Sequence, residues 1–492
     1  MTDSDISTPP SGGQAGPVGP SPSMARRVYF SPATKFFLIG FLTMILMVPL
    51  FVVWGLNGER QSRANRAQTE VAQSWGGSQT IRGPALIVPV TVQEAYEADG
   101  QQRVRERRRF AVFLPETLSF DAATKSKILK RSIFETTVFS ADLTITGRFG
   151  DIALQQFSDA ILKADWANAV VALNLTSLSS LKDSVQLVVD GAGTAPFEPS
   201  LGLAGAALNS SFYNNGIHAK PFANQPGGDG GVTSRPGFGF SIKLAFTGSR
   251  QLFFSAAGRS TDVTVKSDWP HPSFAGAFLP DKRTIDKTGF SASWHVPHLA
   301  RSVPQVFWAG SAVFQGLAKA DFGVRYFVPV DHYNLVDRAL KYGLLFIAVA
   351  FGAVFVLELL STKRINPVQY FLVGLAMILF YLILLSLSEH VGFKWAYVTA
   401  AAATGIMLSI YVGMALASRL RGLIMMIVFI LLYGLLYLLL RLEDYALLAG
   451  SLAGFVLLTA GMFGTLRVDW SGLGRLADTV RADLGRSAEE KP

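Results

Sequence analysis

Ser386, Ser388, Glu389 and His390 place hydroxyl, carboxylate and imidazole groups within one short stretch. These are the groups a hydrolase uses as nucleophile, general base and orienting acid. Residues adjacent in a helix point to different faces, whereas such a triad must converge. The stretch is therefore read as the end of an apolar span, with Glu389 and His390 kept as candidates for moving a proton in a carrier. Glu358 lies inside another apolar run. An intramembrane carboxylate is a functional candidate by default, but the closeness of Lys363 predicts that Glu358 snorkels to the membrane surface. No other acid or base is placed deep in a span, which argues against an ion-coupled carrier with a charged midplane site.

His271, His295 and His298 could offer imidazoles to a metal, but no matched carboxylate accompanies them and prolines flank two of the three. They are read as rigid loop corners, and neither metal nor cofactor is expected. The chain has no Cys, which excludes disulfides and thiolate chemistry. It also lacks the H-E-x-x-H, P-loop and G-x-S-x-G patterns of common metalloproteases, NTPases and hydrolases. Arg103, Arg105, Arg107, Arg108 and Arg109 form the densest basic run. It reads as a solvated strand face, with Arg103 and Arg105 as candidate contacts to anionic lipid or an anionic envelope polymer. The formal net charge of +9 is assigned to membrane-flanking loops, not to nucleic-acid binding.

The elements that must position these residues are mostly apolar. The chain is 50% hydrophobic and 16% charged over 492 residues, well below the roughly 25% charged of soluble domains. One run, Phe36–Leu56, is long enough to cross a bilayer, and Pro49 should kink it. Five more follow at about 342–360, 370–387, 396–416, 423–440 and 446–466, Asn366-Pro367 opening the third span. Asp331–Lys341 is amphipathic and should lie at the interface. Gly450-x-x-x-Gly454 is read as packing within the bundle. Between the first two spans lies a segment too long for a loop.

That segment carries strand patterns at Thr136–Thr146, Val170–Leu175, Val185–Val189, Phe238–Phe246, Gln251–Phe254 and Thr261–Val265, and a helical piece at Ile152–Leu162. Ala85–Val90 is a continuous apolar run, and Asp99-Gly100 signals a hairpin. A two-residue turn there sets Glu94 opposite Arg105 and Tyr96 opposite Arg103. The expectation is an α+β membrane protein with six transmembrane helices, one N-terminal and five C-terminal, and a large, mostly antiparallel β domain. The parts are residues 1–30 as a disordered cytoplasmic tail, 36–56 as the first span, 57–341 as the periplasmic domain, 342–466 as the five-helix bundle and 467–492 as a cytoplasmic tail. Lys363, Arg364, Arg419 and Arg421 outnumber Lys394 and Arg441 in the short loops, placing both termini inside and the β domain outside.

Several stretches carry a family resemblance. They are Gly83–Val90, Phe113-Leu114-Pro115-Glu116, Ser267–Phe274 with its Trp269 and His271, Phe278-Leu279-Pro280, Asp331-His332-Tyr333, Pro367-Val368-Gln369-Tyr370 and Leu387–Phe393. In this order they resemble the CreD family of bacterial inner-membrane proteins over roughly residues 36–470. The resemblance implies a Gram-negative inner-membrane protein tied to cell-envelope integrity and to a two-component regulatory system, with no catalytic residues to carry over. Trp269 and His271, which lie in one of these stretches, are kept as candidate functional residues. The expected function is non-enzymatic, with the lipid bilayer and envelope proteins or polymers as partners; no oligomeric state follows. The alternative is a transporter or lipid-handling protein with a cavity lined by Ser386, Thr404, Ser409 or Glu358, and a hydrolase ranks third.

Overall fold

The computed structural model describes residues 32–98, 101–157, 160–191, 193–200, 216–223, 234–301, 303–310, 313–326, 332–442 and 446–465. The tails at 1–30 and 467–492, Asp99-Gly100, most of residues 225–235, whose glycines predict a loop, and Asp331 lie outside the described residues. The chain divides into a helical unit, Met1–Gln61 with His332–Pro492, and a strand unit, Ser62–Asp331. Among the described residues the α-helices are α1 (Pro32–Ile45), α2 (Met47–Ser74), α3 (Val313–Lys319), α4 (His332–Lys341), α5 (Gly343–Leu359), α6 (Pro367–Val391), α7 (Phe393–Ala415), α8 (Arg419–Arg441) and α9 (Ala446–Thr465).

Among the described residues the strand unit holds two large sheets and a two-stranded one, Ser234–Arg235 with Ile152–Ala153. The eight-stranded sheet runs in the order Lys282–Asp286, Gly289–Val296, Ser260–Ser267, Thr117–Arg131, Phe134–Phe149, Phe238–Ser249, Gln186–Val189, Gly193–Pro196. The ten-stranded sheet is organised on Gln79–Ala98, which pairs with Gln101–Phe113, Ala160–Ala164, Val170–Leu175 and Gln251–Ser255. Pairing is mostly antiparallel. The exceptions among the described residues are Gln79–Ile81 with Leu252–Phe254, and Ser260–Ser267 with Thr117–Thr124.

Alternation explains the layers. In Thr117–Arg131 the side chains of Leu118, Phe120 and Ala122 are buried between exposed or half-buried neighbours, as expected of a strand with one wet face. The inner faces meet through aromatic pairs that cross the sandwich: Phe120 with Phe254 at 5.1 Å, Phe139 stacked on Tyr326 at 4.7 Å and Trp294 with Phe322 at 5.9 Å. The central strand is covered on both faces. Leu86, Val88, Val90 and Val92 enter the main core, while Ala85 and Ile87 enter a second cluster with Val112, Leu114, Phe307 and Leu317. That double burial is why Ala85–Val90 reads as unbroken apolar sequence.

The helical piece expected at Ile152–Leu162 is not formed. Ile152–Ala153 is a strand, Leu154–Gln156 a single 3-10 turn and Ala160–Ala164 a strand on the central one. Ile152, Leu154 and Phe157 all enter the sandwich core, so tertiary burial overrides the local pattern.

In the helical unit, Lys35–Ser74, α6, α7 and α8 are each long and apolar enough to cross a membrane. Helices α4 and α5 together make a further apolar segment, bent by 49°, and α9 adds an apolar helix of 20 residues. Phe37, Phe51, Ile430, Leu431 and Phe455 are exposed, as expected of helices whose outer faces meet lipid tails. The regular helix breaks at Leu46, three residues before Pro49, where the ring cannot donate to the preceding turn. Leu46 is fully buried there against α6, where a Cβ at Gly374 would stand 2.1 Å from its Cδ1; only glycine permits that approach.

Asn57–Gln61 and His332–Lys341, counted above within residues 57–341 with the latter expected at the interface, belong to the helical unit. Their polar groups bond one another: Asn57 donates to the Tyr333 carbonyl at 3.2 Å, Gln61 to Asn334 at 3.3 Å and Trp54 to Asp337 at 2.8 Å.

Gly289 has φ +146°, and a Cβ there would stand 2.0 Å from the Ser267 carbonyl oxygen. Gly289→Ala is expected to destabilise the strand unit by about 1–3 kcal/mol, read as a lowered unfolding midpoint by tryptophan fluorescence. An unchanged midpoint would contradict this packing.

Candidate functional site

The most heavily buried ionic group joins three helix ends. Glu358 sits in the last turn of α5, Lys35 in the first turn of α1 and Tyr370 in the first turn of α6. Glu358 is 1% exposed and Lys35 5%. Lys35 Nζ pairs with Glu358 Oε1 and donates to the Ile365 carbonyl at 3.2 Å. The Ile365 N–H donates to the same carboxylate oxygen at 3.1 Å, and the Tyr370 hydroxyl donates to Oε2 at 2.9 Å. The Asn366–Gln369 capping box starts α6 and fixes Tyr370 one position further on. Glu358 therefore does not snorkel toward Lys363. It is held inside by a cation and two neutral donors, the arrangement a desolvated carboxylate requires. Both of its oxygens are engaged, so the group ties α1 to α5 and α6 and presents no open base.

Sequence reasoning missed Lys35 and Tyr370. The available signal was positional: a lysine one residue before the first apolar run and a glutamate near the end of the second, on the same face of the membrane if the spans alternate. Arg421 works nearby on backbone. Its guanidinium donates to Ser361 Oγ and the Leu360 carbonyl, both at 2.7 Å, and to the Leu416 carbonyl at 3.4 Å. It thus serves orphan carbonyls at the C-termini of α5 and α7.

Glu389 and His390 lie in the last turn of α6, before Gly392 turns the chain. Glu389 accepts from the Tyr333 hydroxyl at 2.9 Å, with Arg60 3.8 Å away. His390 is exposed. Ser388 is buried and donates to the Leu385 carbonyl at 2.8 Å. The structure does not gather these groups into a triad. Nor does it bring together the residues proposed to line a transport cavity. Ser386 is exposed, Glu358 is paired as above, and Thr404 and Ser409 are buried with hydroxyls bonded to the Ala400 and Gly405 carbonyls at 2.7 Å.

The basic hairpin has the expected register: Glu94 faces Arg105 and Tyr96 faces Arg103. Residues 101–108 are exposed. Arg105 grips Glu94 through Nε at 3.0 Å and Nη2 at 2.8 Å and lies over the Tyr96 ring at 5.1 Å. Arg107 reaches Glu94 at 3.3 Å, Arg108 reaches Asp165 at 2.9 Å and Arg109 covers Trp308 at 4.1 Å. The Arg105 hydrogen bond holds the Glu94 carboxyl below its usual range. The face is therefore partly neutralised from within, not uniformly solvated cation.

Trp269 is buried, and its indole N–H donates to the His271 carbonyl at 3.1 Å. The ring closes this Pro-flanked corner while His271 stays exposed. His295 pairs through Nδ1 with Asp262 at 2.7 Å, an exposed contact that raises its pKa. Among the described residues no three His, Asp or Glu side chains converge as metal ligands.

The family model described as "Inner membrane protein CreD" matches residues 31–471. The Inner membrane protein CreD of Escherichia coli (strain K12) is 31% identical over 430 residues, covering 87% of this chain and 91% of that one.

Two predictions follow from this geometry. Glu358→Ala leaves Lys35 buried without its counter-charge and should cost about 3–5 kcal/mol, while Lys35→Met combined with Glu358→Met should recover most of that loss. Thermal unfolding in detergent checks both; equal damage from single and double variants would contradict the pairing. In the strand unit, His295 should titrate above the ordinary histidine value, by NMR of its ring protons, and Asp262→Asn should bring it down. Because folding raises this pKa, the pair's contribution is complete below the unfolded value near 6.5. It fades as pH climbs through the folded value.

Proposed function

This chain belongs to the CreD family of inner membrane proteins, and on that footing we propose that it is a non-enzymatic envelope-integrity protein acting through its strand unit. In this reading six helices span the inner membrane, with α4 leading into α5 and α9 as the last span. Both termini face the cytoplasm and the strand unit stands in the periplasm. The excess of Lys363, Arg364, Arg419 and Arg421 over Lys394 and Arg441 supports that orientation. The observation that carries the functional reading is the basic hairpin, which exposes residues 101–108. A row of guanidiniums beside tethered carboxylates suits an anionic envelope polymer or anionic lipid, which can exchange for the internal acids.

The tests separate placement from function. A phosphatase reporter inserted between Lys282 and Asp286 should be active, and one placed at Lys363–Arg364 inactive; the reverse pattern overturns the orientation. In cells relying on this chain, Arg103→Gln with Arg105→Gln should reduce envelope resistance at normal membrane levels. The same pair should weaken binding to anionic vesicles by about 1 kcal/mol per arginine, roughly fivefold each. Glu389→Gln and His390→Ala should leave resistance intact. Complete loss from either of the last two, with normal folding, would count against a non-enzymatic role.

A further inference from the structure

Among the described residues two cations are buried, Lys35 and Arg301, and they are treated differently. Arg301 is 6% exposed, and it follows the single 3-10 turn His298–Ala300. Burial, together with repulsion from Arg259, lowers its pKa to about 10, so the guanidinium remains charged at neutral pH. Among the described residues only Nη2 has an acceptor, the neutral amide oxygen of Gln305 at 2.5 Å, while Nε and Nη1 are buried and have none. By contrast Lys35, equally buried, pairs with Glu358, and half-buried Arg82 pairs with Asp321 at 2.7 Å. Among the described residues neither Arg301 nor Arg259 forms an ion pair with an acid.

The surroundings are built, not loose. Gln305 is clamped by its own amide N–H groups, which donate to the Leu114 and Pro115 carbonyls at 2.5 and 2.6 Å. That clamp turns its oxygen toward Arg301. The same strap holds the second arginine, since the Arg259 N–H donates to the Pro115 carbonyl at 2.8 Å and the Ser260 N–H to the Glu116 carbonyl at 2.9 Å. The Glu116 side chain lies against Gly150, where an added Cβ would meet its Oε1 at 2.6 Å. Arg259 itself is exposed, so the pair presents one cation at the surface and one beneath it. A buried guanidinium with unmet donors is strongly unfavourable unless a counter-charge arrives.

We propose that Arg301 and Arg259 form an oxyanion-binding site on the Leu114–Glu116 strap, Arg301 supplying the buried donors and Arg259 the outer charge. The ligand class is a phosphate or carboxylate group, borne either by a soluble ion or by a lipid headgroup. This site is separate from the basic hairpin and stands whether or not the hairpin binds polymer.

The experiment is thermal unfolding of the purified full-length protein in a neutral detergent, titrated with inorganic phosphate and with acetate, against chloride at equal ionic strength. The expected result is a saturable rise in unfolding temperature with an oxyanion that chloride does not reproduce. Arg301→Met should abolish it, and Arg259→Gln should weaken the apparent affinity roughly tenfold, the scale of one charge-assisted contact. Repeating the measurement without free oxyanion, in nanodiscs of phosphatidylglycerol or phosphatidylcholine, tells the sources apart. An Arg301-dependent rise confined to the phospholipid discs assigns a headgroup, and one confined to the soluble ions assigns a free oxyanion. No saturable rise in any arm overturns the proposal, as does a response that survives in Arg301→Met. If Arg301→Met does not fold, Arg259→Gln decides: unchanged affinity overturns the site.

Discussion

A carboxylate cut off from water must be matched where it lies, and the pairing of Glu358 with Lys35 meets that demand across 323 residues of sequence. The partners come from the first helix and from the far side of the strand unit's insertion, so the tie cannot form until the chain has returned. Once formed, it fixes which end of α1 meets which ends of α5 and α6. Leu46 packing on Gly374 then sets how closely those helices approach. Closing so long an excursion would be costly for a flexible chain, though the cost grows only with the logarithm of length. Here the excursion, Ser62–Asp331, is a folded unit with its own core.

That unit depends on one strand. Gln79–Ala98 is wrapped on both faces along its first two thirds and then runs on with its partner as an exposed ribbon. The change in burial coincides with the change in sequence, from Ala85–Val90 to Gln93, Glu94 and Glu97, which face the arginine-rich partner strand. A two-stranded ribbon is marginal alone. This one is laced by Arg105 and Arg107 on Glu94, and anchored at its base by Arg109 over Trp308. The same side chains that hold the ribbon also supply its charge, which couples its shape to the ionic surroundings.

Features written in local sequence were legible. Apolar runs marked the helices, Asn366-Pro367 marked the start of α6, and Asp99-Gly100 set a register in which Ala98 meets Gln101. What was not legible depended on distant partners. The parallel pairing of Ser260–Ser267 with Thr117–Thr124 has no local signature. Thr117–Arg131 went unnoticed because its second half, Lys125 to Arg131, is too polar to read as a strand until Phe134–Phe149 is placed beside it. Ile152–Leu162 misled because its apolar spacing suits a helix as well as a chain dropping side chains into a sandwich. Glu358 was read against Lys363, its neighbour in sequence, when its partner in space was Lys35. Arg301 gave no signal at all, because burial is a property of the fold.

The polar groups of the helical unit bear on where function resides. Thr43, Thr399, Thr404 and Ser409 each donate to the carbonyl four residues back in their own helix. Tyr397 donates to the Tyr433 carbonyl, and the Tyr433 hydroxyl meets Thr404. A translocation path needs polar groups with bonding capacity left over and facing a common lumen. These hydroxyls instead face their own backbone or one another, under a cover of rings such as Phe380 on Tyr397 and Tyr433. In the strand unit the balance is opposite: an exposed arginine ribbon, and a buried guanidinium with two donors still to fill. On the function proposed above, recognition, with its dependence on the charge of whatever is met, would fall to the strands and anchorage to the helices.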